Sequence, residues 1–197
     1  MSSQTSTQAL TFNASFEHQG RQLRTFVLAG GCFWCLDAVY QRTRGVHAVI
    51  SGYLGGRNPA PTYEQVCSGL TGHAEAVAVI FDETEVPAEI ILDMFFTLHD
   101  PTTLNRQGYD VGTQYRSAMF PLDETQRREF QAAVEKYAQV YDDPIVTTFE
   151  PVTDFWLAED VHQDYYNNYA TSGYCRVIID PKLAKVKKYY GLWLKES

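Results

Sequence analysis

Cys32 follows the pair Gly30-Gly31 at the end of an apolar run, Thr25 to Ala29, and opens a stretch with helical patterning, Phe33 to Thr43. A thiol at such a junction faces the unsatisfied N–H groups and the positive dipole end of the helix, which favour thiolate. Cys32 is therefore a candidate nucleophile. Phe33 and Trp34 come next, so whatever Cys32 attacks meets an apolar surface, which suits a methyl or thioether group. A second thiol, Cys35, lies one helical turn on, where a Cys-x-x-Cys pair can close. Glu75, within Gly72-His73-Ala74-Glu75-Ala76-Val77, belongs to an alternating stretch whose same-face neighbours are mostly apolar. Burial there would raise its pKa and keep it protonated, as an acid catalyst requires.

These groups need elements to hold them. Arg24 to Ala29 reads as a buried strand, and the helix after it ends before Gly45. His47 to Leu54 is a second strand, Thr62 to Cys67 a short helix, and His73 to Asp82 a third strand with His73, Glu75, Val77, Val79 and Phe81 on one face. Pro87 starts a helix with Ile90, Ile91, Met94, Phe95 and Leu98 on its apolar stripe, and Tyr115 to Phe120 is a fourth strand. Strand, helix, strand, strand, helix, strand is the split βαβ order of a ferredoxin-like α/β sandwich, here with a mixed sheet. A helix capped by Asp123 and a strand over Ile145 to Val152 follow. Beyond Asp154 the pattern predicts a long C-terminal coil wrapped on the core, interrupted near Ala158 to Tyr166 and by a basic helix from Pro181 to Leu192.

Composition bounds the function. The chain has 197 residues, is 45% hydrophobic and offers no linker, so residues 21–197 are expected to form a single domain behind a flexible polar tail, 1–20. A formal charge of −8 without a basic run before the C-terminus argues against nucleic acid. No apolar stretch is long enough to span a bilayer, and the N-terminus lacks a signal-peptide pattern, so a cytoplasmic protein without membrane attachment is expected. The four cysteines, Cys32, Cys35, Cys67 and Cys175, are too few to staple such a chain and point to catalytic, redox or buried thiols in a reducing compartment.

The segments Gly31-Cys32-Phe33-Trp34, Ser51-Gly52-Tyr53, Pro61-Thr62-Tyr63, Gly72 to Val77, His99-Asp100-Pro101, Asp110 to Ser117 and Gly173-Tyr174-Cys175 together resemble the peptide methionine sulfoxide reductase A family. The resemblance runs from about Thr25 to Tyr174. It implies that Cys32 is the nucleophile, that Phe33 and Trp34 hold the substrate methyl, that Glu75 is the acid, and that Tyr63, Asp110 and Tyr115 bind and position. It also implies the S epimer of methionine sulfoxide, free or in peptides and proteins, and thioredoxin as reductant; no metal or organic cofactor is required. Asp37 stands where many members carry Glu, and Cys35 occurs in only part of the family.

The implied chemistry suits these residues, because a sulfoxide sulfur becomes electrophilic as its oxygen is protonated. The resulting sulfenic acid on Cys32 condenses with a second thiol. Cys67 reads as structural. Cys175 follows Ser172-Gly173-Tyr174 in an unpatterned stretch, and the family has a resolving cysteine in that context, so a Cys32–Cys175 disulfide is expected first, with Cys35 able to take it over. A monomer is expected. A thioredoxin-like thiol–disulfide oxidoreductase using Cys32 and Cys35 is the competing reading, although such proteins usually carry small residues or proline between the cysteines. A zinc deaminase site would need its cysteines after the His-x-Glu, the reverse of the order here.

Overall fold

The computed structural model describes residues 8–196. Its strands and helices in chain order are β1 (Ala9–Leu10), β2 (Ser15–His18), β3 (Arg21–Gly30), α1 (Phe33–Gln41), β4 (Val46–Leu54), α2 (Tyr63–Cys67), β5 (Ala74–Asp82), α3 (Ala88–Leu98), β6 (Arg106–Gln107), β7 (Asp110–Val111), β8 (Ser117–Phe120), α4 (Glu124–Tyr137), β9 (Thr148–Phe149), β10 (Phe155–Leu157), α5 (Tyr165–Tyr169) and α6 (Asp180–Tyr190). The main sheet runs β1-β10-β4-β5-β3-β8-β9, with β2 also paired to β3, and only β8 and β9 are parallel. Its centre, β4-β5-β3-β8 with α1 and α3 as crossovers, is the expected ferredoxin-like arrangement in a mixed sheet.

β5 reads as a continuous apolar run because both of its faces are covered. Val77, Val79 and Phe81 pack with the helices, against Phe33, Leu36, Phe95 and Phe96. On the reverse face Ala74, Ala76 and Ala78 join Phe120 and Phe155, and Leu10, Phe12 and Leu122 lie over them. Small side chains there let a thin covering of chain close that face, where a second helical layer would need larger ones.

That covering corrects the expectation of a flexible tail over residues 1–20. β1 pairs with β10, β2 pairs with β3, and Phe12 meets the Phe155 ring edge-on at 5.2 Å. Leu10, Phe12 and Phe16 are the apolar residues that make burial favourable in an otherwise polar stretch. The part of the expected tail in residues 1–7 lies outside the described residues. The strand expected over Ile145 to Val152 is only β9, a two-residue edge strand, since Pro144 and Pro151 lack the N–H that a ladder needs. Tyr115 belongs to a tight 3₁₀ turn, Thr113–Tyr115, and β8 starts two residues later. The C-terminal stretch does wrap on the core, but less of it is coil than expected. A helix begins at Gly173, widens into a π-turn over Cys175–Ile179 and continues as α6.

Antiparallel pairing decides where chemistry can occur. The end of β3 lies beside the starts of β5 and β8, with Leu28 opposite Val77 and Gly30 opposite Ser117, and Tyr53 near the end of β4 lies opposite Glu75. One end of the sheet thus gathers Cys32, Tyr53, Glu75 and Tyr115.

Candidate active site

The turn from β3 into α1 depends on Gly31, whose φ of +87° is unfavourable for a side chain and whose added Cβ would come within 2.7 Å of Gln107. Cys32 occupies the N-cap position of α1 with extended backbone and no side-chain cap. Glu75 supplies the cap instead. The first free N–H of the helix, that of Phe33, donates to Glu75 Oε2 at 3.0 Å. Glu75 is fully buried, and its Oε1 has no hydrogen-bond partner. Burial pushes its pKa up to about 8, with the Phe33 N–H opposing and the charges of Asp110 and Cys35 reinforcing. The carboxyl is therefore neutral at physiological pH, as the alternation of β5 leads one to expect, and its second oxygen is available to a neighbour.

The thiols depart from expectation. Cys32 is buried, and that burial, with the hydrogen bond to Cys35 and the charge of Glu75 once that carboxyl ionises, raises its thiol pKa against the pull of the helix terminus. Cys35 moves the other way, to about 7, through the hydrogen bond from Cys32, against its own burial and with help from the Lys182 charge and the Tyr174 hydroxyl. The two sulfurs titrate as one unit, in which the hydrogen bond from Cys32 eases the loss of the first proton at Cys35. Cys67 is half-buried at the end of α2, where the Tyr63 and Tyr115 hydroxyls reach its thiol.

Cys175 is not in a coil. It is fully buried in the π-turn, shares the core with Cys32 and Cys35, and its N–H donates to Ser172 Oγ at 3.2 Å. Val177 outside and Ile179 inside give this segment a helical face that short-range patterning does not reveal.

Phe33 and Trp34 enter an aromatic wall. Phe33 is buried against Tyr53, Tyr63 and His162, with ring centroids at 5.7, 6.4 and 5.6 Å. Trp34 is partly exposed, stacks on Tyr165 at 3.8 Å and donates from Nε1 to His162 Nδ1 at 3.2 Å. Glu159 ties the wall together by accepting the Tyr53 hydroxyl at 2.7 Å and the Tyr63 N–H at 2.8 Å. Burial raises the Tyr63 and Tyr115 phenols far above their ordinary value, so both remain donors, and both lie near enough to Glu75 to feel its charge once it ionises. Arg116 fixes the Tyr115 turn through paired bonds to Glu150 at 2.8 and 2.7 Å and bonds to the Gly72 and Thr113 carbonyls, each at 3.0 Å. Asp110 Oδ2 accepts the Tyr174 hydroxyl at 2.9 Å.

A pocket of about 470 Å³ opens onto Cys32 and Cys35 between the β6–β7 turn and the Gly173 helix, lined by Gln107, Asp110, Tyr174, Val177 and Lys182. The structure brings Cys32, Cys35, Phe33, Trp34, Tyr63, Glu75, Asp110 and Tyr115 around one site and leaves Cys175 one residue behind Tyr174. Sequence reasoning missed Glu159, His162, Tyr165 and Tyr174. They lie far along the chain in segments of weak pattern, and only Tyr174 fell within a motif. Among the described residues, the one grouping of His, Asp and Glu spaced for a metal is His47, Asp82 and Glu85, where the Arg21 guanidinium pairs with both carboxylates.

A family model described as peptide methionine sulfoxide reductase matches residues 24–192. Peptide methionine sulfoxide reductase MsrA of Paenarthrobacter aurescens is 62% identical over 172 residues, covering 87% of this chain and 99% of its own. Among solved structures, methionine sulfoxide reductase A of Corynebacterium diphtheriae is 34% identical with a TM-score of 0.72, over 76% of each chain. Mxr1 of Saccharomyces cerevisiae in reduced form is 29% identical with a TM-score of 0.73, over 82% of this chain and 93% of its own. Mxr1 in complex with Trx2, at 21% identity and a TM-score of 0.52 over 76% of this chain and 88% of that one, shares the fold.

Proposed function

The chain belongs to the peptide methionine sulfoxide reductase family of enzymes, and from that premise we propose that it reduces the S-sulfoxide of methionine, free or in peptides and proteins, with Cys32 as nucleophile and Glu75 as acid. The observation that carries this reading is the buried, neutral Glu75, one oxygen capping α1 at Phe33 and the other unpaired, within hydrogen-bonding reach of Cys32.

The proton shared by the two sulfurs passes to Cys35, leaving thiolate at Cys32. Cys32 Sγ attacks the sulfoxide sulfur as Glu75 protonates the oxygen, and Phe33 and Trp34 hold the methyl group. Tyr63 and Tyr115 donate to the sulfoxide oxygen, and Asp110 accepts from the substrate backbone. Methionine leaves and Cys32 becomes a sulfenic acid, having taken up the oxygen. Cys35 attacks Cys32 Sγ, water departs and a disulfide forms. Its hydrogen bond to Cys32 and its lowered pKa make Cys35 the first resolving thiol in this reading, and Cys175 receives the disulfide afterwards. A dithiol returns two electrons and two protons. Thioredoxin is the proposed donor, by the family resemblance and by the yeast relative's complex with Trx2.

This activity repairs oxidised proteins under oxidative stress, and four unbridged cysteines suit the cytoplasm as its setting. Among the described residues no helix is long and apolar enough to cross a membrane. The protein acts as a monomer in this proposal. The test is to mix it with each epimer of a methionine sulfoxide peptide and a dithiol. Methionine should form from the S epimer alone, and not with Cys32→Ser, since a hydroxyl is too weak an acid to supply the anion. Equal turnover of both epimers, or turnover by the variant, would overturn the assignment.

A further inference from the structure

Tyr174 has one proton and three acceptors within reach. Its hydroxyl donates to Asp110 Oδ2 at 2.9 Å and also lies within hydrogen-bonding range of Cys32 and Cys35. The ring is fixed by an edge-on contact with Trp34 at 5.3 Å, and the backbone by the first turn of the Gly173 helix. The hydroxyl can therefore change partner by rotating its O–H bond without moving the ring.

The groups facing the thiols are Glu75 from β5, Asp110 from β7, Tyr63 and Tyr115 from α2 and the turn before β8, and Lys182 from α6. Lys182 is the one cation among them, and its ammonium donates to the Leu98 carbonyl at 2.8 Å. Asp110, and Glu75 once it ionises, oppose charge on sulfur. Thiolate in so buried a place needs a hydrogen-bond donor.

We propose that Tyr174 is a catalytic residue of the thiol pair, donating its phenol hydrogen to whichever sulfur carries the charge and parking it on Asp110 when neither does. No covalent bond breaks, because the phenol keeps its proton and changes acceptor. A substrate N–H that engages Asp110 would compete with the phenol for that carboxylate and shift the hydroxyl towards sulfur, so substrate arrival favours thiolate in this proposal. This inference rests on the reading of Cys32 as nucleophile.

The experiment follows thiolate absorbance in the ultraviolet, and alkylation by iodoacetamide mapped to Cys32 and Cys35, against pH in the full chain. Loss of a hydrogen bond to a charged group, about 1.5–3 kcal/mol, predicts that Tyr174→Phe raises the midpoint by about 1–2 pH units and slows neutral-pH alkylation about tenfold or more. Asp110→Asn should shift the midpoint down, and by less when Tyr174 is already Phe, because only the Coulomb part then remains. A Tyr174→Phe profile that superimposes on the parent, or an Asp110→Asn shift of equal size in both backgrounds, would overturn the proposal. Sulfoxide turnover by the parent is measured separately. Its absence would remove the nucleophile reading, whereas normal turnover with an unmoved titration would remove the Tyr174 role alone.

Discussion

The chemistry proposed for Cys32 and Glu75 asks one small volume to hold a neutral carboxyl and a charged sulfur together. Burial satisfies the first demand and opposes the second, which is why Cys35, Lys182 and Tyr174 matter. Glu75→Gln keeps the shape and the cap on Phe33 but has no acidic proton, so the single-turnover rate should fall by roughly 10²–10⁴, the usual scale of general-acid catalysis. A rate equal to the parent's would show that the acid lies elsewhere. Asp37, the other buried carboxyl on this side of the sheet, accepts from Gln41 Nε2 at 3.1 Å, while its Oδ2 is unpartnered. Burial raises its pKa from 3.8 to about 7. A raised folded-state pKa means that its stabilising contribution is complete below the ordinary value and is lost as pH climbs through the folded one. Asp37→Asn should therefore match the parent's melting temperature more closely at pH about 5 and exceed it at pH about 8, the window set by that shift. Thermal melts of both proteins at both values decide this, and a variant whose advantage over the parent is no greater at the higher pH than at the lower would contradict it.

Among elements, the helix from Gly173 to Tyr190 bears on the order of events proposed at the thiols. A coil would deliver Cys175 freely, whereas in the proposed order a buried residue held in a π-turn reaches Cys32 through local opening of that turn. Cys35, one turn along α1, needs no such opening. In samples quenched at successive times after one equivalent of sulfoxide without reductant, peptide mapping should find Cys32–Cys35 first, formed at the parent rate in Cys175→Ser. In Cys35→Ser the sulfenic acid should persist about tenfold longer or more, since each 1.4 kcal/mol of local opening costs a factor of ten. Rapid Cys32–Cys175 formation in that variant would show that the turn opens easily.

For the molecule as a whole, the proposed mechanism makes the activity depend on pH in two directions. Antiparallel pairing sets Glu75 at the start of β5 beside the end of β3, so the acid and the thiol pair share one field. The reaction needs the pair deprotonated, which improves as pH rises through about 7, and Glu75 protonated, which is lost as pH rises through about 8. Single-turnover rates should trace a bell with its maximum between those values, read as properties of the coupled site. Glu75→Gln should lack the alkaline limb. A parent profile that rises monotonically would show that no protonated acid takes part.

Local pattern alone determined much of this protein. The alternation around Glu75, the Gly-Gly turn before Cys32 and the element order are set by nearest-neighbour geometry and by which side chains leave water, so the split βαβ core and the nucleophile and acid candidates were legible in sequence. Leu10 and Phe12 could have been read as covering residues, but their polar neighbours hid a need that only the alanine-rich sheet face makes plain. The tertiary structure alone decided the charge on the thiols and the company of Trp34. Desolvation, the Lys182 field and the Tyr174 hydroxyl come from segments more than a hundred residues away, as do Glu159, His162 and Tyr165. No periodicity encodes such meetings, because they depend on how the chain returns to one end of the sheet and on how little water remains there.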